Sequence, residues 1–192
     1  MEYYNRNLFL KISSNFSELE EISIHDAQLL FNLRSKRKNN FLNSIYGGVQ
    51  EQAEYITKYL NNKNIDEEIY YRIKDKSSLV IGFVRITKLN YKDIFSWESY
   101  ILEEGVNPII AYDVMLIIFK IGFQYLHKKK CGPWMVKKIA HNIMKFHKNV
   151  GMAKVIKEDE NEILMQVLAS DYNKNISYFE KRKIGIIRSF ND

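Results

Sequence analysis

This chain of 192 residues has little cysteine and proline, and its histidines show no metal-binding pattern. Its single cysteine, Cys131, excludes an internal disulfide framework and a metal site built from several cysteines, and it suits a reducing compartment. Among the four histidines, His141 and His147 are six residues apart, which does not bring two side chains to one face of a helix. The sequence therefore predicts no metal site and a cytoplasmic location.

The chain also lacks a long apolar run without charges. Its most apolar segment, Ile109 to Leu126, is interrupted by Asp113 and Lys120, which favours a helix in a protein core over a membrane span. The amino terminus has no basic start followed by a long apolar stretch, so no secretion signal is expected. No internal repeat or low-complexity linker divides the sequence. We predict one domain over 1–192, with a short carboxy-terminal extension from about 170 and no membrane association.

Positive charge is in excess, with 29 Lys and Arg against 23 Asp and Glu, and this balance favours polyanionic ligands such as nucleotides and CoA. The basic residues are scattered apart from the run Lys128 to Lys130, and no nucleic-acid motif accompanies them, so no nucleic-acid partner is expected. Aromatic residues make up 14% of the chain, including 13 Tyr and 11 Phe, which makes an aromatic-lined cleft plausible.

The periodicity of apolar residues predicts an α/β fold in which strands and helices follow in a set order. The segment LVIGFVRI is nearly continuous in apolar residues and is therefore expected at the centre of a sheet. Pro108 suits the first turn of a helix. In chain order, the predicted elements are a strand at Phe16–Ile22, helices from Ala27 and from Gln50 to Leu60, strands at Ile69–Lys74, Leu79–Ile86 and Phe95–Leu102, a long helix at Ile109–Leu126, a strand at Pro133–Lys138, a helix ended by Gly151, a hairpin at Ala153–Leu168 and a short polar helix near Asn173–Arg182.

This order of elements resembles the GNAT superfamily of acyl-CoA-dependent N-acyltransferases over roughly Phe16 to Leu168. Four segments carry the resemblance: HDAQLLFNLRS, VIGFVRIT, SWESYIL and HNIMKFHKNVGM. The resemblance implies a mixed, mostly antiparallel central sheet with splayed middle strands, flanked by helices. It also implies that acetyl-CoA is the acyl donor, with its pantetheine arm between Trp97–Leu102 and Pro133–Lys138.

Members of the family bind the pyrophosphate with a loop that contains Arg or Gln, then two residues, Gly, one residue, and Gly or Ala. The three defined positions of this loop align with Val106, Ile109 and Ala111. Only Ala111 agrees with the family's pattern. The backbone amides of Ile110 to Asp113, at a helix amino terminus, are still expected to bind the pyrophosphate, and Asp113 brings a negative charge close to it. The resemblance assigns the following residues to cofactor binding: Tyr100, Ile101, Leu102, Val106, Asn107, Ile109, Ile110, Ala111, Tyr112, Asn142 and Phe146.

Two residues are predicted to be catalytic. His147 stands four residues before Gly151, where many members carry the tyrosine that protonates the departing thiolate, and a pKa near ~6.5 suits a histidine to that transfer. Glu98, on the strand beside the cofactor, is the carboxylate predicted to take the proton of the acceptor amine. A helix histidine without chemistry and a surface carboxylate paired to a lysine are the alternatives.

The acceptor is predicted from the segment LRSKRKNNFL, which is similar to the family's border of the acceptor pocket, and from the chain's ending. Arginines there suit a diphosphate through bidentate hydrogen bonding. The ending FHKNVGMAKVIKEDENEILMQV most resembles enzymes that acetylate nucleotide-linked amino sugars for surface glycans. The predicted substrate-binding residues are Arg34, Arg37, Asn40, Phe41 and Trp97.

Two other functions remain open at this point. One is an acetyltransferase for protein amino termini or ribosomal proteins, and the other is a binding module that keeps the fold without catalysis. A homodimer is also left open.

Overall fold

The computed structural model describes residues 6–36, 48–62, 67–149 and 152–191. This part of the chain folds into nine strands and five α-helices. The strands are β1 (Lys11–Ser14), β2 (Glu18–Glu21), β3 (Ile69–Lys74), β4 (Val80–Thr87), β5 (Ile94–Leu102), β6 (Lys130–Lys137), β7 (Ala153–Glu158), β8 (Glu162–Leu168) and β9 (Ile187–Phe190). The helices are α1 (Ala27–Lys36), α2 (Gly48–Asn61), α3 (Pro108–Lys120), α4 (His141–Asn149) and α5 (Ala169–Glu180).

The strands form one sheet in the order β7-β8-β6-β5-β4-β3-β2-β1-β9, which puts β4 at its centre as the apolar run predicted. Neighbouring strands are antiparallel except β5 and β6, which run parallel. These two described strands pair only where Ile94 faces Lys130 and Phe95 faces Cys131, and beyond that point they diverge. The predicted sheet with splayed middle strands is therefore confirmed.

A bulge lies in β5 beyond the residues that pair with β6. Phe83 of β4 faces Ile101, whereas Arg85 faces Glu98, so three steps along β5 correspond to two along β4. Ser99, inside the bulge, has a φ of 53°, a left-handed conformation that costs a residue with a Cβ some strain. The bulge consequently bends β5 locally.

The strands place apolar side chains on both faces of the sheet, and helices cover each face because these side chains must be buried. On one face, α1 and α2 pack Leu30 and Ile56 against Phe83 and Ile101. On the other, α3 buries every residue from Asp113 to Phe119, as expected of a helix surrounded by protein. The helical stretch Pro108–Tyr125 is long and apolar enough to cross a membrane by length and composition alone, but here it is the core helix of the sheet.

The elements absent from the prediction lie at one edge of the sheet. β1 and β9 have four residues each, and they pair with one another across almost the whole chain, which local periodicity cannot reveal. The predicted polar helix is present but begins earlier, at Ala169, and buries Tyr172 and Phe179. The predicted hairpin of β7 and β8 is confirmed, while Gly151 lies outside the described residues.

Candidate active site

A cleft of about 610 Å³ occupies the space between the diverging strands β5 and β6. Helix α4 forms one wall, and α1 and β4 reach its opposite end. The lining residues are Arg34, Arg85, Trp97, Glu98, Ser99, Tyr100, Leu102, Ala111, Pro133, Trp134, Met135, Val136, Lys137, Ala140, Asn142, Ile143, Phe146, His147 and Glu162. Because successive side chains of a strand point to opposite faces, Trp97 and Glu98 serve different sides of this cleft.

On the α1 and α2 side, Glu98 is held by Arg85. Its Oε2 accepts a hydrogen bond of 2.7 Å from Arg85 Nη2, and its Oε1 lies 3.3 Å from the hydroxyl of Thr87. Arg85 also forms an ion pair of 3.2 Å with Glu68 and donates to the hydroxyl of Tyr55. The Glu98 carboxylate is thus fixed in direction while still lining the cleft.

The pKa values of the groups around Arg85 depend on their burial and on the charges of their neighbours. Burial raises the pKa of Glu68 above its ordinary value, which the charge of Arg85 opposes. Burial alone lowers the pKa of Arg85, but Tyr55, Glu68 and Glu98 raise it on balance. Arg85 therefore stays protonated and shares one positive charge between two carboxylates.

Arg34 of α1 lines the same end of the cleft, and its guanidinium has few hydrogen-bond partners. Its Nη1 donates to Gln52 Oε1 at 3.4 Å, a long hydrogen bond, and its Nε is buried with no acceptor. Within the described ranges no carboxylate forms an ion pair with it. A guanidinium left in this state is suited to an anionic group of a ligand.

On the α3 and α4 side, His147 is enclosed by aromatic rings and is only 6% exposed. Its ring centroid lies 5.4 Å from that of Trp97, 5.3 Å from that of Trp134 and 5.4 Å from that of Phe146. This burial lowers the pKa of His147 to about 4. The imidazole is consequently neutral at pH 7, where the prediction required a group that carries a proton near neutrality.

Comparison with known proteins identifies the fold and its family. No protein-family model and no curated protein sequence matches the chain. Among solved structures, apo FdhC, a nucleotide-linked sugar GNAT, is 27% identical with a TM-score of 0.79, and the match covers 92% of this chain and 99% of that one. The chain belongs to the GNAT superfamily of acyl-CoA-dependent N-acyltransferases.

A second, more distant GNAT structure shares the fold. The spermidine N-acetyltransferase of Vibrio cholerae, solved in complex with CoA and spermine, is 16% identical with a TM-score of 0.66. The match covers 82% of this chain and 98% of that one.

The predicted cofactor residues of this GNAT fall into three groups. Five of them line the cleft, namely Tyr100, Leu102, Ala111, Asn142 and Phe146. The Tyr100 hydroxyl donates to the Ala111 carbonyl at 3.1 Å, which links β5 to α3. Ile101 instead buries its side chain on the opposite face with α1 and α2, so a cofactor can meet only its backbone.

The remaining predicted cofactor residues are at the amino end of α3. They are Val106, Asn107, Ile109, Ile110 and Tyr112, whose ring centroid lies 4.9 Å from that of Phe146 with the two rings tilted. The end of the helix is already capped, because Asn107 Oδ1 accepts from the Ile109 N–H at 3.0 Å and the Asn107 carbonyl accepts from the Ile110 N–H at 2.9 Å. Pro108 has no N–H to offer.

The expectation that Asp113 places a negative charge beside the phosphates is wrong. Its carboxylate is fully buried and accepts hydrogen bonds from Ser14 at 2.5 Å, Ser17 at 2.8 Å and the Gly185 N–H at 2.8 Å. Burial raises the pKa of Asp113, although these donors lower it in part. Asp113 therefore ties α3 to β1 and to the chain that leads to β9.

Of the predicted substrate residues, Arg34 and Trp97 line the cleft, and Arg37, Asn40 and Phe41 lie outside the described residues. Two functional candidates were missed, Arg85 and Trp134. Arg85 did leave a signal, since a charged residue inside the buried strand VIGFVRIT needs a partner to compensate its burial.

Proposed function

We propose that this protein transfers an acetyl group from acetyl-CoA to the amine of a nucleotide-linked amino sugar in the synthesis of a surface glycan. The observation that carries the proposal is the cleft between β5 and β6, which is lined by a fixed carboxylate and by an arginine with no ion pair among the described residues. The likeness to a nucleotide-linked sugar GNAT over 92% of the chain supports the choice of acceptor.

The donor arm fits the cleft because β5 and β6 no longer pair with each other beyond Phe95 and Cys131, which leaves space between the two strands. Tyr100, Leu102 and Asn142 would border the arm, and acetyl-CoA supplies an acyl carbonyl activated by its thioester. In the overall reaction the N–C bond forms as the C–S bond breaks, the amine loses one proton, and the departing sulfur gains one.

Glu98 is the proposed base for the amine. Arg85 holds its Oε2, which leaves Oε1 near Thr87 to accept the proton directly or through a water molecule. For His147, a neutral imidazole is the starting state, and a thiolate that forms beside it raises its affinity for a proton. His147 is therefore proposed to relay a proton from water to the sulfur, accepting it at one ring nitrogen as the other nitrogen donates, and not to hold an extra proton beforehand.

The charge of the cleft supports an anionic acceptor over a polyamine. Three basic and two acidic side chains line it: Arg34, Arg85 and Lys137, against Glu98 and Glu162. The Glu98 carboxylate is already paired with Arg85, so a polycation gains little from it, whereas a diphosphate can bind donors of Arg34. A nucleotide-linked amino sugar carries both groups that this cleft can bind: its phosphates would contact Arg34, and its amine would contact Glu98.

The test is acetylation of a panel of amines with acetyl-CoA, followed by thiol release. The panel contains UDP- and dTDP-linked amino sugars, the free amino sugars, spermidine, and peptides with free amino termini. We expect turnover on a nucleotide-linked sugar, and a Glu98→Gln variant as matched control should lose most of it. Turnover confined to spermidine or to peptides would contradict the proposed acceptor.

A non-catalytic GNAT-fold binding module is the second candidate, and the capped amino end of α3 favours it. Asn107 and Pro108 leave fewer free N–H groups there than a pyrophosphate site normally offers. Calorimetry separates the two functions, since an enzyme must bind CoA. Absence of heat with millimolar CoA and no turnover in the panel would favour the binding module.

A further inference from the structure

Both tryptophans of the chain, Trp97 and Trp134, line the cleft at its base. Trp97 lies two residues after Phe95 and Trp134 three residues after Cys131, the last pair that joins β5 to β6. Their ring centroids are 5.9 Å apart in an edge-to-face arrangement. The two indoles therefore stand together where the strands begin to separate.

Neither indole N–H has a hydrogen-bond partner in the described structure. Both nitrogens are buried, and the Trp97 side chain is only 5% exposed, so solvent does not replace the missing acceptor. A buried donor without an acceptor costs free energy, and most such groups in folded proteins are satisfied. Two such donors on neighbouring rings of one cleft indicate a place for an acceptor that the described part of the chain does not supply.

The surroundings of this pair favour an oxygen atom that gains negative charge. The neighbouring rings are Phe119, Tyr100 and the neutral His147, and Glu98 projects to the other face of β5 toward Arg85. Among the described residues, the rings that contact the two indoles carry no negative charge that would repel such an oxygen. N–H donors in an apolar site stabilise developing negative charge more than water does, because they need no reorganisation.

We infer that Trp97 and Trp134 donate their indole N–H groups to the carbonyl oxygen of the donor's acyl group. The inference rests on the proposed function, because it requires that acyl-CoA enters this cleft. It gives the two residues a part in catalysis distinct from Glu98, since they act on the acyl oxygen and not on the amine. Because both indole nitrogens are buried, the inference also requires the partly exposed Trp134 ring to rotate when the acyl group arrives.

The number of tryptophans makes a direct test simple. In the wild-type protein labelled with 15N-tryptophan, two indole N–H resonances are expected, and the one lost in a Trp134→Phe variant belongs to Trp134. We expect both resonances to move downfield in the acetyl-CoA complex relative to the complex with CoA, which lacks the acyl oxygen. Identical indole resonances in the two complexes would overturn the inference and leave the proposed function untouched.

Kinetics provide a second readout. Loss of one donor should lower kcat in Trp134→Phe on the order of 10²-fold, with the KM for acetyl-CoA little changed, as for removal of one oxyanion donor elsewhere. Tyr91→Phe, an equally conservative change at an exposed ring outside the cleft, is the control and should keep wild-type kcat. An unchanged kcat in Trp134→Phe would refute the inference, whereas failure of the wild type to bind either ligand would refute the proposed function with it.

Discussion

The buried histidine of the cleft predicts a measurable loss of stability in acid. His147 has its pKa lowered to about 4 in the folded protein, against an ordinary value of 6.5. Between these values the unfolded chain binds a proton that the folded chain does not, so unfolding becomes easier as the pH falls. The stabilisation is complete above pH 6.5 and is lost progressively as the pH approaches 4.

The size of the effect follows from the same two values. At pH 5 the unfolded histidine is almost fully protonated and the folded one only slightly, which corresponds to a loss of about 2 kcal/mol relative to pH 8. A His147→Phe variant keeps an aromatic ring among Trp97, Trp134 and Phe146 but has no proton to bind. The other titratable groups are common to both proteins and cancel in the difference.

Urea denaturation at pH 8 and pH 5 measures this difference. Between the two pH values, the wild type should lose about 2 kcal/mol more free energy of unfolding than His147→Phe does. His141→Gln, at the exposed start of α4, is the matched control and should follow the wild type. Equal losses in wild type and His147→Phe would refute the argument that burial keeps this imidazole neutral.

Three further substitutions test the cleft and the core beside it. Glu98→Gln should lower kcat on the order of 10²-fold or more, with the KM for acetyl-CoA unchanged, and an unaltered kcat would exclude Glu98 as the base. Arg34→Gln should raise the KM for a nucleotide-linked sugar by roughly 10- to 100-fold without affecting a free amino sugar, and an equal effect on both would argue against phosphate recognition. Asp113→Asn should lower the free energy of unfolding by about 1–3 kcal/mol, because an amide cannot accept from both Ser14 and the Gly185 N–H, and a stability equal to wild type would show that these hydrogen bonds contribute little.

The central part of the fold could be predicted because its signals are local. The near-continuous apolar run of β4 indicates a central strand, and Pro108 followed by apolar residues on every side indicates a buried helix. Both features depend on residues close together in the chain. The resemblance to GNAT sequences added the divergence of β5 and β6, which no periodicity encodes.

The partners within the site could not be predicted in the same way. Arg85 and Glu98 face one another across β4 and β5 only because of the bulge at Ser99, which shifts the register by one residue. The buried state of His147 depends on two indoles from different strands. Asp113 looked like a charge at the cofactor entrance, but its orientation depends on Ser14, which is distant in sequence.

The capped amino end of α3 is compatible with CoA binding on energetic grounds. The Ile109 N–H already has an acceptor in the Asn107 side chain, so a phosphate must displace that side chain before it can bind there. Loss of such a cap costs about 1 kcal/mol. A charged phosphate oxygen accepts a stronger hydrogen bond than a neutral amide oxygen and also gains from the helix dipole, so the exchange is favourable. In the proposed enzyme, we therefore expect the residues that replace the family's glycines to weaken this contact without abolishing it, and the cleft between β5 and β6 to contribute the larger share of donor binding.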